Sequence, residues 1–214
     1  VDHTDSFIDE VTEEVRRDRL FAAFRKYGWI GVVAILGLVG GSAYVEWSKT
    51  QRQARAEAFG DGILSALEAE NPTEALAALP VAGPQGGMRK LLTAAQAAED
   101  GKVDLALADL RAVAGDATLP DSLRQLARLK AVLVAGAAMG AEARAAELAA
   151  LAAPGAPFRL MAMEQQALAA LDAGDKDGAI AKAREIMAED GVTSGLQQRA
   201  TELIVALGGD PAAK

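Results

Sequence analysis

Between Lys26 and Glu46 the chain reads YGWIGVVAILGLVGGSAYV, 19 residues without a charge. No other feature narrows the possible folds as much. As a helix rising 1.5 Å per residue the segment reaches about 28 Å, close to the hydrocarbon thickness of a bilayer. It reads as a membrane-spanning helix. Aromatic residues make up only 4% of the sequence, yet Tyr27 and Trp29 stand at the entry of this segment and Tyr44 and Trp47 at its exit. Such rings prefer the boundary between lipid and water. Every later apolar run is broken by charge, Gly or Pro within about a dozen residues, too short to span.

The flanks set an orientation. Arg16, Arg17, Arg19, Arg25 and Lys26 precede the span, against Lys49, Arg52 and Arg55 after it, and the side richer in cations stays in the cytoplasm. The N-terminus is therefore expected inside. The bulk of the chain is expected across the membrane, in the periplasm of a bacterial inner-membrane protein. A cleaved secretory signal is the competing reading, with Gly41-Ser42-Ala43 as its cleavage site. The uncleaved anchor is favoured. The preceding region carries seven acidic residues, and the apolar stretch exceeds the usual signal core of about 7 to 15 residues.

Ahead of the span, SFIDEVTEEVRRDRLFAAFRK places Asp9, Glu10, Glu13 and Glu14 early and its cations late, an order that suits a helix dipole. A short amphipathic helix in a cytoplasmic leader, residues 1–26, is expected. It either docks on a partner or lipid surface or is a solvated flank that enforces topology. The span itself is assigned to residues 27–47. Gly37 and Gly41 form a GxxxG pair within it, a spacing that lets two membrane helices approach closely.

Composition defines the remainder. Forty-nine alanines, the strongest helix formers, leave little β-branched or aromatic material for a sheet. An all-α chain is expected. With no cysteine and one histidine, His3, the sequence offers no disulfide, thiolate metal site or imidazole catalyst. A net charge of −8 argues against a nucleic-acid footprint, which needs clustered Lys and Arg. The acid pairs Glu13-Glu14 and Glu189-Asp190 read as solvated helix-end charges. Neither a cofactor nor a small-molecule substrate is expected, and the chain reads as non-enzymatic.

After the span, residues 48–70 continue as a stalk helix running into the first of a series of helix pairs. Asn71-Pro72-Thr73-Glu74 marks a helix start, with Asn as cap and Pro at the first helical position. Further helices are predicted over 87–99, 103–114, 120–138, 141–151, 157–173, 177–189 and 194–207, the last capped by Ser194. Met88, Leu91, Leu92 and Ala95 share a face, as do Val103, Ala106, Leu107, Leu110 and Val113, and Leu196, Ala200, Leu203 and Leu207. Met161 and Met163 are expected to fill core gaps.

Aligning the turns exposes a repeat. Gly101-Lys102-Val103-Asp104-Leu105-Ala106 sits over Gly174-Asp175-Lys176-Asp177-Gly178-Ala179, with Gly140 and Ala145 between them. The glycine spacings of 39 and 34 residues lie at or just above the tetratricopeptide period of about 34. Each glycine permits a tight turn, and the alanine five residues on lets the next helix approach its partner. The prediction is a tetratricopeptide-like helical-repeat solenoid over 71–208 with a C-terminal capping helix, and a tail at 209–214.

The run FIDEVTEEVRRDRL, then RKYGWIG, an apolar span ending in YVEW and an alanine-rich degenerate helical repeat, resembles the YfgM-type tetratricopeptide family, ancillary subunits of the SecYEG translocon. The resemblance covers nearly the whole chain. It implies one inner-membrane helix with a cytoplasmic N-terminus, a periplasmic repeat domain, and association with SecYEG and a PpiD-like membrane-anchored chaperone. It carries no catalytic residue. The expected partners are thus proteins and the lipid bilayer, with no nucleic acid. An accessory subunit of another inner-membrane complex, respiratory or cell-division related, is the alternative.

Overall fold

A computed structural model of the chain describes the backbone of residues 3–81 and 83–211, and the side chains of 25–26, 29–31, 33–81 and 83–211. All regular structure among these residues is helical. The chain divides into two units, residues 1–58 and 59–214.

Helix α1, His3–Leu67, absorbs the expected leader, span and stalk into one element. No proline interrupts residues 3–67, and the glycines at 28, 31, 37, 40, 41, 60 and 62 cost helix propensity without preventing hydrogen bonding. The leader is therefore not a separate short helix. From Trp29 the helix is long and apolar enough to cross a bilayer.

The second unit holds the end of α1 and eight further helices: α2 (Pro72–Ala77), α3 (Gly83–Glu99), α4 (Val103–Gly115), α5 (Asp121–Ala135), α6 (Ala141–Leu151), α7 (Arg159–Asp172), α8 (Lys176–Ala188) and α9 (Ser194–Ala206). Successive helices from α2 onward pack on one another, and α3 also meets α5. Three apolar clusters result. Leu91 and Ala94 of α3, Ala106, Leu110 and Val113 of α4, Leu119 of the loop between α4 and α5, and Ala127 of α5 form the first. Leu129 and Val132 of α5 join Leu148 and Leu151 of α6 and Ala162 of α7 in the second. Met163 of α7, Ala183 and Ile186 of α8, and Leu196, Ala200 and Ile204 of α9 form the third. Helices α5 and α7 each serve two clusters, so the core is carried along the chain rather than gathered at one centre.

Helix boundaries follow local chemistry. Pro72 opens α2 as its first helical residue, while the Asn71 side chain makes no capping bond; the Thr73 hydroxyl instead donates to Asp100 Oδ2 at 2.8 Å, satisfying a buried polar group. The last helix is capped by Thr193, whose hydroxyl accepts from Leu196 N–H, and not by Ser194. Threonine fits because the cap residue must lie in extended backbone, where Thr193 is found. The helix predicted over 120–138 ends early. Gly136 adopts a φ of 50°, which terminates α5, and a 3-10 turn, Gly136–Met139, follows.

Two of the three aligned turns share one geometry. Gly101 and Gly174 have φ of 74° and 82°, and the following N–H groups reach back five residues, Lys102 to Ala97 O at 2.7 Å and Asp175 to Ala170 O at 2.9 Å. This is the glycine-closed helix end in which orphan carbonyls are satisfied. Ala106 and Ala179 are then fully buried. The third member differs. Gly140 follows the 3-10 turn instead of an α-helix, and Ala145 remains exposed. Ala106→Leu or Ala179→Leu is expected to lower stability by about 1–3 kcal/mol through overpacking. Ala145→Leu should be nearly neutral, and urea unfolding of the three variants checks the contrast.

Candidate functional site

The first candidate is the apolar stretch of α1. Trp29, Ile30, Val33, Ile35, Leu36, Leu38 and Val39 are all exposed, with Leu38 reaching 75%. Water would penalise this much unburied apolar surface by roughly 25 cal/mol per Å², whereas hydrocarbon would not. Ser42 and Ser48 return their hydroxyls to the carbonyls of Val39 and Val45, both at 2.9 Å, so their polar groups are satisfied within the helix. Such internal satisfaction is required of polar groups in lipid. At the exit, the Tyr44 and Trp47 rings lie 6.2 Å apart at 38°. They sit one turn apart on the helix, both exposed.

The interface aromatics and cations named from sequence are placed as follows. Trp29, Tyr44 and Trp47 are exposed, as are Arg25 and Lys26. Arg16, Arg17, Arg19 and Tyr27 lie outside the described side chains. At Gly37 and Gly41 an added Cβ would meet nothing within 4 Å. The glycine pair thus leaves an open notch on the helix.

The second candidate is a groove of about 750 Å³ in the second unit, between the 3-10 turn and α6 on one side and α7 on the other. Short side chains make up most of its lining, with Arg144 and Gln166 the long polar exceptions. Ala141 and Ala145 of α6 face Ala169, Ala170 and Ala173 at the end of α7, and Leu148 supplies the one larger apolar group. Helix α6 buries only Leu148 and Leu151, both in its second half. Its first half is held by an ion pair, Arg144 Nη1 to Asp172 Oδ2 at 3.1 Å. The Arg144 side chain is only 17% exposed while Asp172 is 67% exposed. Arg144 Nε is buried without a hydrogen-bond partner.

Three other ion pairs tie helices of the second unit together. Arg128 binds Glu147 through Nε and Nη2 at 2.9 and 2.7 Å, joining α5 to α6. Arg199 of α9 grips both oxygens of Glu164 on α7, at 2.6 and 2.9 Å. Arg159, at the start of α7, binds Glu189 beyond the end of α8, with one contact at 2.7 Å. Hydrogen bonds from Arg159 hold the Glu189 carboxyl below its ordinary range, with partial burial opposing them. A carboxylate depressed in this way stabilises the folded chain above the ordinary glutamate value of 4.5, and loses that contribution as pH falls below it. Glu189→Gln should therefore melt below wild type at pH 7, and the two melting curves should converge as pH drops through that range.

Among the described residues no group of three or more His, Asp or Glu side chains gathers to hold a metal ion. The Glu189-Asp190 pair divides: Glu189 is tied to Arg159, while Asp190 is exposed. Met163 is buried as expected, but Met161 is 49% exposed. The groove was not anticipated from sequence. Its signal was a run from Gly136 to Ala146 that contains no large apolar residue except Met139. Comparison with protein-family models, curated proteins and solved structures finds no match to the chain.

Proposed function

We propose that this is a membrane-anchored interaction protein whose N-terminal apolar helix crosses a bacterial inner membrane, with the N-terminus in the cytoplasm and the helical unit in the periplasm. That unit is read as a degenerate tetratricopeptide-like solenoid, ancillary to the SecYEG translocon and linking it to a PpiD-like chaperone of secreted or outer-membrane proteins. The observation that carries the reading is the exposed apolar surface of α1, closed by the Tyr44–Trp47 pair. Lipid is the environment that suits it. The glycine-closed turns at Gly101 and Gly174, and the hand-over of core clusters through α5 and α7, support stacked helix pairs in which each unit buries its neighbour. The leader's likeness to YfgM-type proteins supports the choice of complex.

In mechanism, the anchor replaces affinity. Confinement beside a channel raises the local concentration of the helical unit without new contacts, so modest binding to emerging chains or to a chaperone suffices. The activity requires no covalent chemistry and no cofactor. The test is purification of the tagged full-length protein in mild detergent. SecY and a PpiD-like chaperone are expected to co-purify. Recovery of a different stoichiometric complex without translocon subunits would overturn the assignment in favour of an accessory role elsewhere.

A further inference from the structure

We infer that Lys49, Arg52 and Arg55 form a docking site for anionic phospholipid headgroups in the leaflet at the C-terminal end of the span. The inference rests on the reading of α1 as a membrane helix and adds the class of lipid that this helix selects. From Trp47 to Ala56 the chain carries these three cations and no acid, within a protein of net charge −8. All three are exposed. Among the described residues, Arg52 and Arg55 make no hydrogen bond or ion pair. Lys49 reaches Glu46 only at 4.0 Å, with both side chains 74% exposed, a contact too solvated to neutralise it. In the second unit, by contrast, Arg128, Arg144, Arg159 and Arg199 each bind a carboxylate.

Helical register gathers the cations. Spaced three residues apart, they advance through an arc of about 120° on one side of α1. Glu46 and Glu57 stand outside that arc, beyond its Lys49 edge, and Glu57 already accepts a hydrogen bond from the Gln53 amide at 2.9 Å. The sector occupied by Arg52 and Arg55 therefore meets no carboxylate of the flanking turns. A guanidinium fork turned outward in this way matches phosphate oxygens two at a time.

Height above the bilayer names the occupant. Helix α1 runs unbroken from the apolar stretch through these residues, so each additional residue adds about 1.5 Å. With the Tyr44–Trp47 pair at the boundary, Lys49, Arg52 and Arg55 stand about 6, 10 and 15 Å beyond Val45, against a headgroup layer of about 5 to 7 Å per leaflet. Side chains on a helix lean toward its N-terminus, which here is toward the bilayer, and long cationic stems extend that reach. Lys49 and Arg52 thus meet headgroup phosphates. Arg55 lies about one Debye length, ~8 Å, above the layer and feels its charge more weakly.

The test uses the full-length protein carrying Trp29→Phe, which leaves Trp47 as its single tryptophan, in vesicles of equal parts phosphatidylcholine and phosphatidylglycerol. Bromine is placed on the acyl chains of one lipid or the other, near the glycerol, and quenching of Trp47 reports which lipid adjoins it. The association constant is expected to favour phosphatidylglycerol by about fivefold, the worth of roughly one cation beside an anionic surface. Replacing Lys49, Arg52 and Arg55 together by Gln should keep the helical circular dichroism of the parent and bring the ratio to about one. Arg55→Gln alone should retain most of the preference, and Lys49→Gln with Arg52→Gln should lose most of it. Equal quenching by the two lipids in the parent, or a preference that survives the triple replacement, overturns the inference. Quenching by neither lipid would overturn the membrane reading on which it rests, so the two failures are told apart.

Discussion

Leu36→Arg is expected to release the protein from the membrane. Leu36 stands at the midpoint of the uncharged stretch from Tyr27 to Val45, and its side chain is exposed on α1. At the centre of a spanning helix, leucine favours insertion by up to about 0.6 kcal/mol and arginine opposes it by about 2.5–3.5 kcal/mol, a swing of roughly 3–4 kcal/mol. The span has little reserve against such a change, since four glycines and a serine dilute its hydrophobicity between Ile30 and Ser42. Alkaline carbonate extraction of membranes reads the outcome. Wild type and Leu36→Ala should stay in the pellet while Leu36→Arg appears largely in the supernatant. Retention of Leu36→Arg equal to wild type would mean that this segment does not cross hydrocarbon.

Leu110→Ala is expected to cost about 2–5 kcal/mol of stability, the range for truncating a fully buried leucine where the surroundings relax only partly. Leu110 is 1% exposed and packs with Leu91, Val113, Leu119 and Ala127 from three helices and a loop. Collapse around the missing atoms is hindered because Gly87 already lies close to Leu119 and Leu123: even a Cβ there would come within 2.8 and 2.9 Å of their methyl groups. Urea unfolding should show a lower midpoint. Leu133→Ala, on the exposed side of α5, should stay within about 0.5 kcal/mol of wild type. Similar losses for the two leucines would contradict the assigned core.

The helices of the second unit were legible because charge, Gly and Pro punctuate them. Val103, Ala141 and Ser194 each begin a helix where the sequence places the start. The faces were less legible. In α3 the sequence favoured Met88, Leu91, Leu92 and Ala95, yet Gly87, Leu91, Thr93, Ala94 and Ala97 are the buried residues and Met88 is exposed. Alanine occurs on every face of these helices, so a pattern built on large apolar residues misses surfaces where close approach selects small ones. Thr93 is buried because its hydroxyl returns to Arg89 O within the same helix, at 3.0 Å. In α9, Leu203 packs half-buried against the core as its spacing implies and Leu207 is half-buried, while Ile204, which the spacing does not single out, is fully buried.

The candidate sites divide in the same way. The apolar stretch of α1 could be read directly, because lack of charge over 19 residues needs no knowledge of neighbouring helices. The groove could not, because it depends on how far α6 stands from α7. Gly140 and Ala145 match the repeat by spacing, and yet the 3-10 turn before Gly140 removes the backbone closure present at Gly101 and Gly174. Residue type at the aligned positions is the same; the preceding helix end is what differs.

The most direct test of the membrane-anchored reading uses the absence of native cysteine. Ser6→Cys, in the leader, and Ser194→Cys, at the exposed start of α9, each introduce one thiol on opposite sides of the apolar stretch. Intact spheroplasts are treated with a membrane-impermeant maleimide, then compared with permeabilised ones. Cys at 194 should label in both, and Cys at 6 only after permeabilisation. Labelling of both positions in intact spheroplasts, or the reverse pattern, would contradict a spanning helix with a cytoplasmic N-terminus.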